Sequence, residues 1–413
     1  MKPIHIAFFI FTIVFVSLFI ISVPFPYYVI PDVGNYIAPY FEAIIRYVGV
    51  FVLRLDRSSV YDIISDSTGM YIHAALLFIV SILVALISYF ISPLATHKQR
   101  CYYELYVRGI SYYVSLQLLI YGFDKLFKHQ FYLPEPNILY TPLGHLSKDI
   151  LYWSTIGSSY SYSVFSGVIE IIAAIFLLFK STRKLAALLA MGIMIHVMVI
   201  NFGFDISVKV YTCFLLYLTI LLSYPTIKKM VVLFVLNKPV DIEKNELAHP
   251  TNSKKIVYYL CKALVIGCLF WEGLYVHVVT HNFNDDKAPR PFLHGAYNVE
   301  CMIKNGDTLT PVLSNKEYIK RIFIHREGYL ITQLMNDEMQ DYKLEYDTAH
   351  QFLTLSSPDM TSLKVHYKQT TKDSILILKT KIGNDSTTII TKLIDISKLP
   401  LMQPYFHWTA DEY

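Results

Sequence analysis

The chain has 413 residues, of which 54% are hydrophobic and only 16% are charged. Soluble domains usually contain roughly 25% charged residues, so a large part of this chain is expected to lie in lipid. The net charge of +4 is small and evenly spread, which argues against a nucleic-acid-binding surface. The length allows one helical membrane unit and one small additional domain.

Apolar residues are concentrated before about residue 280, in runs long enough to form transmembrane helices. The first run, 6–23, is longer than the apolar core of a signal peptide, which favours a retained helix. The other predicted spans are 71–91, 106–123, 162–179, 185–199, 208–224 and 256–279. We therefore predict an all-α polytopic membrane bundle of about seven transmembrane helices.

Two long segments lie between these predicted spans. Residues 24–70 contain a shorter apolar stretch, 41–53, which is interrupted by Arg46 and which we interpret as a helix in the membrane interface. Residues 124–161 are rich in Tyr, Pro, Gly and Ser and are predicted to form a loop.

The distribution of Lys and Arg predicts that the N-terminus is inside, because inner loops carry an excess of cations. The cations that then fall on the inner side are Lys98, Arg100, Lys180, Arg183, Lys184, Lys228, Lys229, Lys238, Lys244, Lys254 and Lys255. The opposite side carries Arg54, Lys128 and Lys148 mixed with acidic residues. We expect a bacterial inner (cytoplasmic) membrane protein whose C-terminal domain is periplasmic.

The last part of the chain changes to short β-branched or aromatic segments: 318–324, 329–334, 351–355, 363–367, 374–379 and 386–394. Turn sequences at 304–307 and 383–385 separate such segments, which predicts a small all-β antiparallel barrel or sandwich. The predicted domains are N-terminal helices with a long outer loop (1–105), a four-helix core (106–225), a cytoplasmic loop (226–255), a last transmembrane helix (256–280) and an extracytoplasmic β domain (281–413).

The cysteines do not predict a metal site or a redox dithiol. The chain has 5 of them, Cys101, Cys213, Cys261, Cys268 and Cys301, and no two form a CxxC pair. Three lie in apolar runs and are interpreted as small buried side chains.

Glu170 lies in the middle of a predicted span, where an ionised acid costs roughly 2.5–3.5 kcal/mol. It should therefore face the bundle interior and be either paired or protonated. Two interpretations remain open: a group that handles protons or a ligand, and a structural hydrogen bond between helices. His196, on the next helix, is a candidate partner of Glu170 or a ligand contact. No second His lies three or four residues from it, so a metal site is only weakly supported.

Other polar residues are predicted to lie in the outer half of the bundle. Asp205 and Lys209 are four residues apart, so they can pair across one turn if a helix begins at Asp205. The whole set is Asp124, Lys125, His196, Asn201, Asp205, Lys209, Glu272 and His277. We hypothesise that these residues line a polar cavity in the outer half, with Glu170 at its floor.

Several short motifs follow one another between residues 108 and 224. Arg108 is followed by Tyr-Gly-Phe-Asp-Lys at 121–125, Ser-Val-Phe-Ser-Gly-Val-Ile-Glu at 163–170, Leu-Leu-Phe-Lys-Ser-Thr-Arg at 177–183, and a run from Met194 through Asn201 to Asp205 and Lys209. In these features the stretch resembles the DoxX-like family of integral membrane proteins. The resemblance implies a four-helix core and suggests Arg108, Gly167 and Arg183 as structural family positions.

The same resemblance suggests several activities. Members of the wider group are linked to thiosulfate:quinone oxidoreduction, to oxidative-stress complexes and to cargo export, so a quinone is the cofactor that it suggests. No cofactor is evident from the residues themselves. The β domain begins with Leu-His-Gly-Ala-Tyr at 293–297, which is similar to the Gly-x-Trp opening of lipocalin-like barrels with Tyr in place of Trp.

Three functions are considered. The first is a scaffold or export and assembly factor whose outer domain and polar cavity bind another envelope protein or a lipid-like ligand. The second is a quinone-linked membrane redox subunit, and the third is a small-molecule transporter, which is disfavoured because no inverted repeat is evident. We favour the scaffold and leave enzymatic activity open.

Overall fold

The computed structural model describes residues 3–91, 96–240, 252–358, 360–370, 374–383, 385–404, 408–409 and 411. The chain divides into two compact units. The helical unit consists of Met1–Gln130 and Ser161–Asn284, and the barrel unit consists of Phe131–Tyr160 and Asp285–Tyr413. The second unit is therefore built from two separate stretches of sequence.

The helices, in chain order, are α1 (Pro3–Ser22), α2 (Val33–Tyr47), α3 (Thr68–Ile91), α4 (Thr96–Leu126), α5 (Pro136–Leu139), α6 (Lys148–Ser158), α7 (Tyr160–Leu177), α8 (Arg183–Gly203), α9 (Lys209–Phe234) and α10 (Asn252–Val279). Among the described residues, 5 helices are long and apolar enough to cross a membrane. Their apolar parts are Thr68–Phe90, Tyr160–Leu177, Arg183–Gly203, Lys209–Phe234 and Ile256–Val279. Membrane-length helices are thus confirmed.

The remaining two predicted spans correspond to helices with a different character. The predicted span 6–23 corresponds to α1, whose apolar part Ile6–Ser22 is shorter. The predicted span 106–123 is part of α4, a helix of 31 residues that contains many polar side chains. These polar side chains form the candidate site described below.

Several local predictions are corrected by the structure. The segment 124–161 is not only a loop, because it contains α5 and α6. Helix α2 begins at Val33, before the predicted stretch 41–53, and continues as a π-helical turn at Val48–Val52. Cys213, Cys261 and Cys268 are exposed on α9 and α10 rather than buried, since an apolar environment in a membrane helix includes its lipid-facing surface. Lys244 lies outside the described residues, as do the side chains of Lys98, Arg100, Lys254 and Lys255.

The strands are β1 (Gly295–Lys304), β2 (Asp307–Thr308), β3 (Ile319–His325), β4 (Tyr329–Leu334), β5 (Met339–Asp347), β6 (Phe352–Ser357), β7 (Met360–Thr370), β8 (Ile375–Ile382) and β9 (Asp385–Ile394). Strands β3 to β9 pair with their sequence neighbours, and β1 pairs with both β3 and β9. All of these pairings are antiparallel. The β domain is therefore a closed barrel rather than a sandwich. The short β2 pairs antiparallel with the C-terminal end of β1.

The interior of the barrel is filled by apolar side chains. Ile324, Leu353 and Leu376 are completely buried, and Leu330 is nearly so. An eight-stranded barrel is just wide enough for side chains to fill or for one small ligand. Alternation along each strand explains this filling, because every second side chain points inward.

Residues of the 131–160 segment cover part of the outer barrel surface within the same unit. The ring of Tyr140 stacks on Phe323 with a centroid distance of 5.8 Å. The guanidinium of Arg321 lies 4.5 Å from the centre of the same Tyr140 ring. Gln333 Nε2 donates to the carbonyl oxygen of Tyr140 at 3.1 Å. A segment that looks like a loop in sequence is therefore an integral part of the barrel unit.

Candidate functional site

Helices α4 and α7 cross closely at two glycines. A Cβ atom on Gly167 would lie 2.5 Å from the carbonyl oxygen of Gly122 and 2.8 Å from the amide nitrogen of Leu126. The hydroxyl of Ser163, one turn earlier on α7, donates to the carbonyl oxygen of Lys125 at 2.9 Å. Small residues let membrane helices approach closely, and here the approach brings the following turns of α4 and α7 together.

Lys125 and Glu170 form a buried ion pair beside this crossing. Lys125 Nζ donates to Glu170 Oε2 at 2.7 Å and to Oε1 at 2.9 Å, and the side chains are 10% and 4% exposed. The same ammonium lies 5.5 Å from the centre of the Tyr121 ring. The candidate partner His196 does not take this place. It is exposed on α8, two residues after the buried Met194.

One face of α4 carries a line of polar side chains that we call the polar seam. It consists of Tyr106, Tyr113, Gln117, Tyr121 and Lys125. Their spacings are seven, four, four and four residues, which place them on one side of a helix. Lys125 follows Tyr106 by 19 positions (125 − 106), which corresponds to a rise of about 28 Å at 1.5 Å per residue.

Residues of α1 and α9 form hydrogen bonds with the N-terminal part of the polar seam, at Tyr106 and Tyr113. Tyr106 donates its hydroxyl to the carbonyl oxygen of Thr12 at 2.9 Å, and Tyr217 donates to the Thr12 hydroxyl at 3.3 Å. Further along α4, the hydroxyls of Tyr113 and Tyr211 lie 2.9 Å apart. The polar groups of α4 thus meet polar groups of the neighbouring helices α1 and α9.

Gln117 lies in the middle of the polar seam and is 1% exposed. Its Nε2 donates to the hydroxyl of Tyr27 at 2.9 Å. Its Oε1 is buried and has no hydrogen-bond partner among the described residues. The ring of Phe25, beside Tyr27, lies edge-on to Tyr121 with a centroid distance of 6.3 Å. Gln117 therefore offers an unused acceptor inside the bundle.

Two acidic residues, one on α10 and one near the end of α4, have different kinds of partner. The Glu272 carboxylate accepts three consecutive backbone N–H groups, from Tyr28, Val29 and Ile30, at 2.6, 2.9 and 2.7 Å. Such a concave row of N–H groups is a common anion-binding arrangement. His277 Nε2 lies 3.2 Å from Asp124 Oδ1, an ion-pair distance at which the two groups are not aligned as a hydrogen bond.

The start of α9 differs from the sequence prediction. The helix begins at Lys209, and Asp205 has a left-handed backbone with φ 54°, so Asp205 is not at the helix N-terminus. Asp205 nevertheless pairs with Lys209 Nζ at 2.8 Å, which confirms the predicted contact. The carboxylate at the helix N-terminus belongs to Asp66, which accepts from the backbone N–H groups of Lys209 and Val210 at 2.8 and 3.0 Å. Sequence analysis did not single out Asp66.

The predicted site residues are thus distributed over separate contacts. Asn201 is buried and donates through Nδ2 to the Thr212 hydroxyl at 2.6 Å. Of the suggested family positions, Gly167 makes the helix crossing, and Arg183 Nε donates to the carbonyl oxygen of Leu177 at 3.1 Å. Arg108 is half-buried. Only Lys125 belongs to the polar seam, and Glu170 extends it through their ion pair.

A second charged cluster lies inside the barrel unit and is centred on Glu135, which is 3% exposed. Its carboxylate accepts from Arg326 Nε and lies 2.9 Å from His294 Nε2. Arg326 also donates through Nη1 to Asp285, and its guanidinium lies 4.0 Å from the centre of the Tyr132 ring. These contacts join the 131–160 segment to residues that lead into and belong to the barrel.

The electrostatic environment favours ionised Glu135. Burial alone would raise its pKa, but the hydrogen bond with His294 and the charges of Arg326 and His325 outweigh it and lower the pKa to about 2. Burial is also the main reason that the pKa of His325 is lowered. Glu135 is therefore a carboxylate at neutral pH, and it binds the surrounding cations as such.

Comparison with known proteins gives one relative and no family. No family model matches the chain. It is 28% identical over 129 residues to the protein named "Uncharacterized protein YwoB" of Bacillus subtilis (strain 168), a match that covers 31% of this chain and 81% of that protein. No solved structure matches. In the described part of the chain, no group of three or more His, Cys, Asp and Glu residues is arranged to hold a metal ion.

Proposed function

We propose that the protein crosses the bacterial cytoplasmic membrane about seven times, through α1, α3, α4 and α7–α10, with its N-terminus inside. Support comes from chain connectivity. Residues 131–160 and 285–413 belong to one compact unit, and in the chain these stretches directly follow α4, precede α7 and follow α10. The contact between Asp124 near the end of α4 and His277 near the end of α10 agrees with this arrangement. The barrel then lies outside.

We further propose that α4, α7, α8 and α9 form a DoxX-like core. The short motifs that carry the resemblance include both glycines of the α4–α7 crossing and both members of the Lys125–Glu170 pair. The barrel is proposed to be lipocalin-like. Its closed topology supports this, as does the position of Tyr297 in place of the family Trp. The hydroxyl of Tyr297 donates to the Leu293 carbonyl oxygen at 2.9 Å.

The function that we propose is a membrane scaffold or export and assembly factor whose barrel binds another envelope protein. The observation that carries it is the construction of the barrel unit. Three chain connections join this unit to the helical unit, at residues 130–131, 160–161 and 284–285. Inside the unit, buried ion pairs of Glu135 and Asp285 with Arg326 hold the two stretches together. A barrel unit whose two stretches are held together by buried ion pairs suits a stable binding surface for a partner.

The test is native mass spectrometry of the full chain purified gently from its own membranes. We expect a defined envelope protein at fixed stoichiometry, which rebinds when both purified proteins are mixed. Arg326→Ala should abolish rebinding because it opens the barrel unit, whereas Gln117→Leu in the helical unit should leave rebinding unchanged. Rebinding that is insensitive to Arg326→Ala, or a chain that purifies without a partner, would contradict the scaffold.

The second candidate function is a quinone-linked redox subunit, which the polar seam favours. A lipid-soluble carbonyl compound needs hydrogen-bond donors within an apolar bundle, and the tyrosines of α4 are such donors. Solvent extraction of the purified protein, followed by mass spectrometry, tests it. Stoichiometric quinone in the wild type that is lost in Tyr113→Phe would support this function, and its absence from the wild type would count against it.

A further inference from the structure

The length of the polar seam matches the membrane. Its rise of about 28 Å compares with about 30 Å for the hydrocarbon core of a bilayer. The groups at its ends and middle are all within the helical unit: Tyr106 with Thr12, Gln117 with Tyr27, and Lys125 with Glu170. Placing polar side chains at intervals over this distance in a lipid environment costs free energy. Polar residues within membranes commonly mark pathways for ions or protons.

The chemistry of the seam suits proton transfer. A tyrosine hydroxyl both donates and accepts, so it can receive a proton on oxygen while it releases its own to the next group. Tyr113 and Tyr211 form one such hydroxyl pair, 2.9 Å apart. The hydroxyl of Tyr27 accepts from Gln117, which leaves the Tyr27 proton available for donation. No heavy-atom bond changes and no oxidant is needed, because only protons move.

Gln117 provides the second, independent observation. Its Oε1 is a buried acceptor without a partner among the described residues, and the side chain is 1% exposed. Leaving a buried polar atom unpaired costs about 1–3 kcal/mol, so such an atom calls for an explanation. An acceptor that can bind a water molecule would connect the tyrosine pair on one side with Tyr121 and Lys125 on the other.

We propose that the polar seam is a proton-transfer path along α4, with Gln117 at its middle and the Lys125–Glu170 pair at its end. A proton that reaches the pair binds to the Glu170 carboxylate, and it leaves when that carboxyl is deprotonated again. This role does not depend on a partner of the barrel, so it can fail while the scaffold function holds.

The test is proton flux into vesicles. The full chain is reconstituted into phosphatidylethanolamine–phosphatidylglycerol vesicles that contain a pH-sensitive dye, and a potassium gradient with valinomycin drives protons. We expect faster acidification than in protein-free vesicles, and a loss of about tenfold in Gln117→Leu and in Tyr113→Phe, which each remove one hydrogen-bonding link. Tyr113→Phe keeps the ring, so it tests the path even if Gln117→Leu fails to fold.

Ser111→Ala is the matched control, because Ser111 is a buried hydroxyl of α4 that donates to its own helix, at the carbonyl oxygen of Val107. Its flux should equal that of the wild type, with equal reconstitution and thermal unfolding for all variants. Wild-type flux no higher than that of protein-free vesicles would overturn the proposal. So would undiminished flux in the folded Tyr113→Phe variant.

Discussion

Arg326 donates through Nε to Glu135, which lies 191 residues earlier in the chain. The two residues are almost inaccessible to solvent, with side-chain exposures of 14% and 3%. Because the first residue is on the barrel and the second precedes α5, their contact fixes a stretch between two membrane-length helices to a domain at the other end of the sequence. This ion pair therefore helps to hold the two separate stretches of sequence together in the barrel unit.

Replacement of Glu135 by Gln should destabilise the barrel unit. The substitution keeps the shape of the side chain but removes one of the two carboxylates that pair with Arg326, leaving only Asp285. Breaking a buried pair typically costs about 3–5 kcal/mol, and the remaining Asp285 should keep the loss at or below that range. Thermal unfolding of the purified protein, followed by β-sheet circular dichroism, measures the effect. Asp395→Asn is the control, since Asp395 is an exposed acid of the same unit whose side chain makes its polar contacts, among the described residues, with its neighbours Ser397 and Lys398. Equal destabilisation by both variants would contradict the role of Glu135.

The stability of the barrel unit should also depend on pH through Glu135. Its pKa is about 2 in the folded protein and 4.5 in its ordinary state, so the folded protein binds fewer protons than the unfolded chain. The resulting stabilisation is complete above about 4.5 and is lost as the pH falls from there towards about 2. Thermal unfolding between pH 6 and pH 3, values chosen to bracket roughly this window, should show a decline that is smaller in Glu135→Gln. Parallel declines in both proteins would show that other carboxyl groups cause it.

A feature of this structure can be predicted from the sequence when it depends on residues that are close together in the chain. The apolar runs and the alternation of the strands are local patterns, so membrane-length helices and an antiparallel β domain were predictable. Strand β5 was not, because its alternating outward residues, such as Lys343 and Glu345, hide the inward Tyr342 and Leu344. The choice of a barrel over a sandwich depends on the pairing of β1 with β9, which no local pattern encodes.

The candidate site shows the same limit. Lys125 and Glu170 were both singled out, but the rotation that makes them partners depends on the crossing of Gly122 and Gly167. The polar seam was missed because tyrosines within an apolar run look compatible with lipid. Its signal was nevertheless present: Tyr106, Tyr113 and later polar residues of α4 recur at intervals of seven and four.

Gly167→Ala should separate α4 from α7. The new methyl group would meet backbone atoms of Gly122 and Leu126, which cannot move aside as a flexible side chain could. We expect a lower unfolding temperature in detergent. Gly109→Ala on α4 is the control, because no atom of the described residues, apart from the adjacent backbone of α4 itself, lies within 4 Å of its added methyl group. Since Ala is a better helix former than Gly by about 1 kcal/mol, the control should be neutral or slightly stabilising. An equally stable Gly167→Ala protein would contradict a close crossing.

The Lys125–Glu170 pair makes a prediction about a double substitution. Either Lys125→Met or Glu170→Met removes one member of a buried ion pair, which typically costs about 3–5 kcal/mol. The double variant removes both charges, so its stability should recover most of that loss. Chemical unfolding in mixed micelles, analysed as a double-mutant cycle, gives the coupling between the two positions. If the two losses add, the residues are not partners in the folded protein.

Glu272→Gln should loosen the segment that follows α1. The carboxylate has two acceptor oxygens, of which Oε1 binds the N–H of Tyr28 and Oε2 binds those of Val29 and Ile30. A glutamine amide replaces one oxygen by an NH₂ donor, which would face a backbone N–H and leave at least one of the three groups unpaired. These N–H groups are part-buried, so each one left without a partner should cost at most about 1–3 kcal/mol. Hydrogen exchange followed by mass spectrometry should show faster exchange of the 28–30 amides in Glu272→Gln than in the wild type.

The amides of Lys209 and Val210, at the start of α9, serve as the internal reference, because a different carboxylate, that of Asp66, binds them. Unchanged exchange at 28–30 would mean that Glu272 does not hold this segment, and a uniform increase at both places would indicate general destabilisation instead.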